Sequence, residues 1–147
     1  MMSGENGFYQ KFEITGRDFG KAGAVSTQIK EILQEVGIDS AIIRRAAIAV
    51  YEAEMNVVMY ANRGTMTMKI TPHEVNFTVE DEGQGIADIE MAMQEGFSTA
   101  TDEMREMGFG AGMGLPNIKK NTDKFGIISL PGKGTLLELT FYLNKTK

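Results

Sequence analysis

Residues 39–85 read DSAIIRRAAIAVYEAEMNVVMYANRGTMTMKITPHEVNFTVEDEGQG and carry the pattern that decides the fold. Between Ile42 and Val58, apolar residues recur every three or four positions, which predicts an amphipathic helix. Beyond it, β-branched or apolar residues alternate over 65–71 and over 74–80, which predicts two strands joined by a tight turn. A long helix that leads into a hairpin indicates a domain in which helices pack on a mostly antiparallel sheet.

Upstream of this stretch the sequence predicts one strand and one further helix. Residues 8–15 alternate between apolar and polar side chains, and residues 20–36 keep helical spacing until Gly37 ends the run. Asp39 or Ser40 then supplies the cap of the long helix, which we expect to extend to about residue 61.

Downstream of the hairpin the sequence predicts further elements around a long glycine-rich loop. We expect a short helix over 86–93, a mobile lid over about 95–111 and a helix over 115–124. Strands over 127–130 and 135–143 then close the chain. The order predicts an α+β two-layer sandwich, with helices on one face of a mostly antiparallel mixed sheet.

The composition narrows the possible functions. A chain of 147 residues fits one domain over residues 1–147 with its core at about 8–143. It has no cysteine and one histidine, which excludes thiolate chemistry and multi-histidine metal sites, so a metal would need oxygen ligands. The net charge of −5 provides no general attraction for nucleic acid or anionic membranes. Without a signal peptide or a long apolar stretch, a cytoplasmic protein is expected.

The first candidate pair for a functional site is Glu52 and Asn56 on the long helix. The two side chains are one turn apart and project from the same face. An amide oxygen is a hard ligand that suits Mg²⁺, and a carboxylate beside it can orient or deprotonate a hydroxyl nucleophile. The same spacing also fits two polar residues on a solvated helix face, and both interpretations stay open.

The second candidate is Asp81-Glu82-Gly83-Gln84-Gly85-Ile86, which we expect to break the strand before it. Two glycines there permit a sharp turn and the close approach of a ligand or of other backbone. A carboxylate at the strand end can accept a hydrogen bond from an exocyclic amine such as that of adenine. An exposed turn with an Asx-type hydrogen bond is the alternative.

The strongest candidate is GFGAGMGLPNIKK, residues 108–120, in which glycine occupies every second position before a helix begins. N–H groups at a glycine-rich helix N-terminus bind phosphate, and Pro116 suits a first helical turn. The spacing does not match the dinucleotide-binding pattern, and Gly132-Lys133 does not match a P-loop. A hinge without a ligand is the alternative.

Taken together and in this order, the three segments resemble the N, G1 and G2 boxes of the Bergerat-fold ATPases, which include gyrase, a heat-shock chaperone, MutL and histidine kinases. With Gly96-Phe97-Ser98-Thr99 in the lid, the sequence is similar to the bacterial anti-sigma-factor serine/threonine kinases, nearest to their switch-kinase branch. The resemblance covers about residues 8–143. It implies an ATP-dependent kinase that phosphorylates a small protein of the sigma-antagonist type.

The resemblance also implies roles for individual residues. Glu52 would be the base or orienting group for the attacking hydroxyl, Asn56 would hold Mg²⁺, and Asp81 would bind adenine. Thr135 would support adenine through its hydroxyl or a water. The full set of implied nucleotide-binding positions is Asn56, Asp81, Gly83, Gly85, Ile86, Ser98, Thr99, Gly108, Gly110, Gly112, Met113, Gly114, Leu115 and Thr135.

Two residues depart from the family pattern. Tyr60 stands where many of these kinases have a histidine, and Glu54 is expected to place an extra carboxylate near the Mg²⁺ ligand. The resemblance implies ATP and Mg²⁺ as cofactors, a protein substrate, a sigma factor as partner in some members, and a homodimer. Neither nucleic acid nor a membrane is an expected partner. The alternative hypothesis is a nucleotide-gated module that sequesters a sigma factor or antagonist with little or no catalysis.

Overall fold

The computed structural model describes residues 7–83, Met93 and residues 114–143 of the chain. Its elements in chain order are strand β1 (Phe8–Thr15), helix α1 (Ala24–Val36), helix α2 (Ser40–Tyr60), strand β2 (Ala61–Ile70), strand β3 (Glu74–Gly83), helix α3 (Gly114–Asn121), strand β4 (Lys124–Leu130) and strand β5 (Gly134–Tyr142).

The five strands form one sheet with the order β1-β2-β3-β5-β4. The hairpins β2–β3 and β4–β5 therefore lie side by side, with β1 and β4 at the edges. All four pairings among the described strands are antiparallel. The helices cover the face of the sheet that carries the buried side chains, which confirms the predicted α+β two-layer fold.

The core lies between α2 and the helix-facing side of the sheet. Ala46, Ala49 and Ala53 of α2 are fully buried, and their small side chains let the helix lie close to the strands. Where α2 crosses β2, a Cβ atom at Gly64 would lie only 2.9 Å from a methyl group of Val57. α2 is therefore fixed directly over the central strands.

The helices begin and end close to their predicted positions. The Asp39 carboxylate accepts a hydrogen bond from the Ala41 N–H at 3.1 Å, which confirms Asp39 as the cap of α2. α1 begins later than predicted, because a 3₁₀ turn occupies Phe19–Lys21. α3 ends at Asn121, earlier than predicted, since the chain soon enters β4. None of the described helices is long and apolar enough to cross a membrane.

The central hairpin is longer than predicted. β2 begins at Ala61, directly after α2, and β3 continues through Gly83. The prediction that the strand breaks at Asp81 is therefore wrong. The chain that leaves α2 provides the missing partner, because Ala61 pairs with Gly83 and Arg63 pairs with Glu82.

Two predicted features lie outside the described residues. They are the lid over about 95–111 and the short helix over 86–93, of which only Met93 is described. Met93 packs against the core.

A carboxylate from α2 caps the start of α1. Glu54 is 2% exposed, and its Oε2 accepts hydrogen bonds from the N–H groups of Gly23 at 3.1 Å and Val25 at 3.2 Å. Its Oε1 accepts one from the Ser26 N–H at 2.9 Å. The first N–H groups of a helix have no partner inside the helix, and a buried carboxylate needs such donors. Each group therefore satisfies the other.

The expectation that Glu54 lies near the Mg²⁺ ligand is wrong. On an α-helix, residues two positions apart point roughly 200° away from each other. The side chain of Glu54 accordingly faces α1, away from the side of α2 that carries Glu52 and Asn56.

Removing the Glu54 carboxylate should destabilise the fold strongly. Glu54→Ala leaves three N–H groups without their acceptor, and we expect it to lower the free energy of unfolding by about 3 kcal/mol. Glu54→Gln keeps one acceptor oxygen and should cost about 1 kcal/mol. Urea unfolding followed by circular dichroism measures both. The exposed Glu31→Ala is the control, and a loss for Glu54→Ala no larger than the control's contradicts the capping role.

Candidate functional site

Glu52 and Asn56 lie on the face of α2 that meets the first turn of α3. A Cβ atom at Gly114 would lie 3.4 Å from Oδ1 of Asn56 and 3.5 Å from Oε1 of Glu52. Both side chains are half-buried, so they do not sit on an open solvated face. The structure therefore brings together three of the residues singled out in the sequence, and the missing side chain at Gly114 leaves room beside both oxygens.

A fourth residue, Asn117, belongs to the same group. Its Nδ2 donates a hydrogen bond to Oε2 of Glu52 at 3.4 Å. The two oxygens of Glu52 thus have different surroundings, with Oε2 bonded to Asn117 and Oε1 beside Gly114. No sequence motif predicted a role for Asn117. Its position one turn after Gly114 was the available signal, because residues three apart share a helix face.

α3 is attached to α2 at its other end as well. Arg45 Nη1 donates to the carbonyl oxygen of Asn121 at 3.1 Å and forms an ion pair with Asp123 at 3.2 Å. Arg45 precedes Glu52 by about two helical turns. The first turn of α3 therefore lies at Glu52 and its last turn at Arg45, so that the two helices run antiparallel.

Asp81 lies on the helix-facing side of β3, the same face as the buried Val79 two residues before it. Its Oδ1 accepts a hydrogen bond from the Thr135 N–H at 3.1 Å. Burial raises the pKa of Asp81 above its ordinary value, and the hydrogen bond from Thr135 acts in the opposite direction. The alternative of an exposed turn is wrong, because Asp81 is a half-buried strand residue.

The start of β5 lies directly against Asp81. Gly134 has a φ of 144°, and a Cβ atom there would collide with the carbonyl oxygen of Asp81. Only glycine tolerates both conditions. The next residue, Thr135, places its hydroxyl 2.9 Å from that of Ser129 on β4. Ser129 therefore joins this group, and no motif in the sequence pointed to it.

Gly83 lies where β3, the strand that carries Asp81, meets α2. A Cβ atom at Gly83 would lie 2.9 Å from the carbonyl oxygen of Tyr60 and 3.0 Å from Cα of Ala61. Tyr60 is one turn beyond Asn56 on α2. Gly83 thus allows the end of β3 to lie against the end of α2. Asp81 therefore lies near the same half of that helix that carries Glu52 and Asn56.

The other predicted site residues are placed as follows. Leu115 is 7% exposed and belongs to the core. The positions that lie outside the described residues are Gly85, Ile86, Ser98, Thr99, Gly108, Gly110, Gly112 and Met113.

Asn56 is the described residue that the sequence predicts to hold a metal ion. Among these residues, no group of three or more acidic or histidine side chains is arranged to hold a metal ion. Mg²⁺ in proteins often keeps several waters and takes one or two protein oxygens together with the phosphates of a substrate. The amide oxygen of Asn56, beside the open position at Gly114, fits an ion that arrives with a phosphate ligand.

Residues 18–141 match a family described as the histidine kinase-like ATPase domain. An anti-sigma F factor from Thermoanaerobacter sp. strain X514 is 40% identical over 104 residues, which are 67% of this chain and 69% of the relative. The serine/threonine-protein kinase RsbT of Bacillus subtilis is 29% identical over 118 residues, which are 78% of this chain and 83% of the relative.

A solved structure shares the fold. The crystal structure of the RsbU and RsbW domains of a Mycobacterium tuberculosis protein aligns with 93% of this chain and 33% of that longer chain. The TM-score is 0.62 and the sequence identity is 19%, so this likeness concerns the fold alone.

The raised pKa of Asp81 should appear in the pH dependence of stability. Because folding raises this pKa, the protonated form stabilises the fold at low pH, and this contribution is lost as the pH rises through the folded-state pKa. Asp81→Asn keeps an acceptor for Thr135 without a charge. The unfolding free energy of Asp81→Asn minus that of the wild type should therefore increase between about pH 4 and about pH 7.

Urea unfolding at several pH values measures this difference. Glu80→Gln, which removes an exposed carboxylate from the neighbouring position of the same strand, is the control. A difference for Asp81→Asn that is constant or decreases with pH contradicts the assignment.

Proposed function

This chain belongs to the histidine kinase-like ATPase family, and we propose that it is an ATP-dependent serine/threonine protein kinase that acts as an anti-sigma regulatory factor or switch kinase. Its substrate would be a small protein of the sigma-antagonist type, and a sigma factor would be a further partner. Relatives described as an anti-sigma F factor and as a serine/threonine-protein kinase support the proposal. The observation that carries it is the placement of Glu52 and Asn56 against the first turn of α3.

Membership of this ATPase family implies that the chain binds ATP. We assign adenine recognition to Asp81. An ionised carboxylate only accepts hydrogen bonds, so it suits the exocyclic amine of adenine and disfavours the carbonyl oxygen that guanine presents at that position. The hydrogen bond from Thr135 and the contact with Gly134 fix the orientation of this carboxylate.

We assign the chemical step to Glu52. Its carboxylate accepts the proton of a serine or threonine hydroxyl while the hydroxyl oxygen attacks the γ-phosphorus of ATP. A bond forms between these two atoms, the bond from the γ-phosphorus to the β–γ bridging oxygen breaks, and ADP leaves. The protein contributes mainly by positioning the reactants, as is usual in phosphoryl transfer.

We assign Mg²⁺ binding to Asn56, whose Oδ1 lies beside the open position at Gly114. When bound, Mg²⁺ would neutralise negative charge on the phosphate oxygens. The nucleotide-binding roles of the predicted positions outside the described residues, and the homodimer, stay predictions.

Adenine nucleotides should raise the melting temperature of the protein. A ligand at 100 times its Kd stabilises the fold by about 2.7 kcal/mol, which for a domain of this size is a rise of roughly 5–10 °C. We expect this rise with Mg²⁺-ATP and Mg²⁺-ADP, and its loss with GTP or in Asp81→Asn. Glu80→Gln is the matched control and should respond like the wild type. An equal rise with GTP would contradict adenine recognition by Asp81.

Glu52→Gln should separate catalysis from binding. The amide cannot accept the proton, so phosphate transfer should fall by at least about 100-fold. The affinity for ADP should stay within about twofold, because the residue does not bind the base. The assay incubates γ-labelled ATP with a panel of purified sigma-antagonist-type proteins encoded in the same genome. Glu31→Gln, on the exposed face of α1, is the control.

One result would contradict the role of Glu52, and another would contradict the kinase activity itself. Undiminished transfer by Glu52→Gln would exclude Glu52 as the base. A wild-type protein that binds ATP and a panel protein without transferring phosphate would favour the nucleotide-gated sequestering module.

A further inference from the structure

We infer that Asn117 is a positioning residue for Glu52, whose carboxylate it holds with Oε1 directed to the acceptor hydroxyl. The inference rests on the proposed function, because it takes Glu52 as the base. No sequence motif predicted this role for Asn117, and Asn117 does not itself touch the reacting atoms.

The geometry makes the two oxygens of Glu52 unequal. Oε2 accepts the hydrogen bond from Asn117 Nδ2 at 3.4 Å, whereas Oε1 lies beside Gly114, which the amide oxygen of Asn56 also approaches. A glutamate side chain without a partner rotates freely about its last bonds. The Asn117 amide selects the rotamer in which Oε1 faces the open position at Gly114. A base must lie within hydrogen-bond reach of the proton that it abstracts, so this choice of rotamer determines whether Glu52 can act.

The chemical type of residue 117 suits an orienting role. An amide donates a hydrogen bond without carrying a charge. A lysine or arginine at this place would stabilise the ionised carboxylate strongly and make it a weaker base. Asparagine therefore orients Glu52 at a smaller loss of basicity.

The backbone of Asn117 is itself well fixed. Pro116 and Ile118, the residues on either side of it, are buried. Arg45 attaches the last turn of α3 to α2. The orientation of Glu52 therefore depends on how α3 lies along α2, so one helix provides both the open position at Gly114 and the donor that aims the base at it.

A purely structural role for Asn117 makes a different prediction. The hydrogen bond is long and half-buried, so its removal in that case would lower stability slightly and leave the rate of transfer unchanged. The two roles can therefore be separated by kinetics.

The test compares Asn117→Ala with Asn121→Ala. The control removes the same side chain one turn later on α3, where it bonds the helix backbone and not Glu52. The readouts are kcat and the acceptor KM with γ-labelled ATP and the panel protein that the wild type phosphorylates, together with ADP affinity. For Asn117→Ala we expect kcat to fall about 10- to 100-fold, with KM and ADP affinity within about twofold. For Asn121→Ala we expect an unchanged kcat.

A double-mutant cycle sharpens the test. If Asn117 acts through Glu52, adding Asn117→Ala to Glu52→Gln should cause little further loss of kcat, so the two effects are not additive. In nuclear magnetic resonance spectra, Glu52→Gln should shift the side-chain amide signals of Asn117 and leave those of Asn121 in place. Should Asn117→Ala not fold, Asn117→Asp preserves the size of the side chain, removes the donor and should lower kcat at least as much.

The outcomes separate the inference from the proposed function. The positioning role alone is overturned if Asn117→Ala transfers phosphate as fast as the wild type. It is also overturned if Asn121→Ala slows the transfer as much as Asn117→Ala does. Additive losses in the cycle overturn it as well. Absence of transfer by the wild type overturns the proposed function, and the positioning role with it.

Discussion

The close packing of α2 on the sheet is the constraint on which the rest of the structure depends. Ala46, Ala49 and Ala53 of α2, and Gly64 of β2 beneath Val57, carry small side chains or none. No large side chain at these positions therefore holds the helix and the strands apart. At its far end, Gly83 allows β3 to meet the helix backbone. A helix seated at such short distances cannot rotate without collisions, so its other faces have defined directions. Glu52, Glu54 and Asn56 of α2 therefore face defined neighbours.

The segment from Glu52 to Asn56 shows how much this direction matters. Its first and last residues face α3, and Glu54 between them points into the opposite interface and caps α1. A buried carboxylate is costly unless donors surround it, and the free N–H groups of a helix start are such donors. One turn of helix thus anchors α1 on one side and forms the candidate site on the other.

The features that depend on local periodicity could be predicted from the sequence alone. The elements followed from spacings of 3.6 and 2 residues, and the shared face of Glu52 and Asn56 followed from their separation by one turn. The partners of these residues depend on tertiary packing, which periodicity does not describe. The strand through Asp81 exists because the chain leaving α2 pairs with it, and Glu54 accepts hydrogen bonds from a helix start that precedes it in the sequence by 28 to 31 residues. The proximity of Asp81 and Thr135 followed only from the family resemblance. The spacing of one turn from Gly114 was the only local sign of Asn117, and nothing local indicated Ser129.

The two carboxylates of the site are supported in different ways, and this difference agrees with different tasks. Asp81 is fixed by the backbone of β5, through the Thr135 N–H and the contact with Gly134, which is the rigid support that recognition of a base requires. Glu52 is oriented by a side chain of α3, a separate element attached to α2 by a few polar contacts and by buried apolar residues. In the proposed function, recognition of adenine would therefore depend on the sheet, and the chemical step would depend on the helix pair. Under this proposal, a displacement of α3 alone would alter the rate of transfer while the contact of Asp81 with adenine persists.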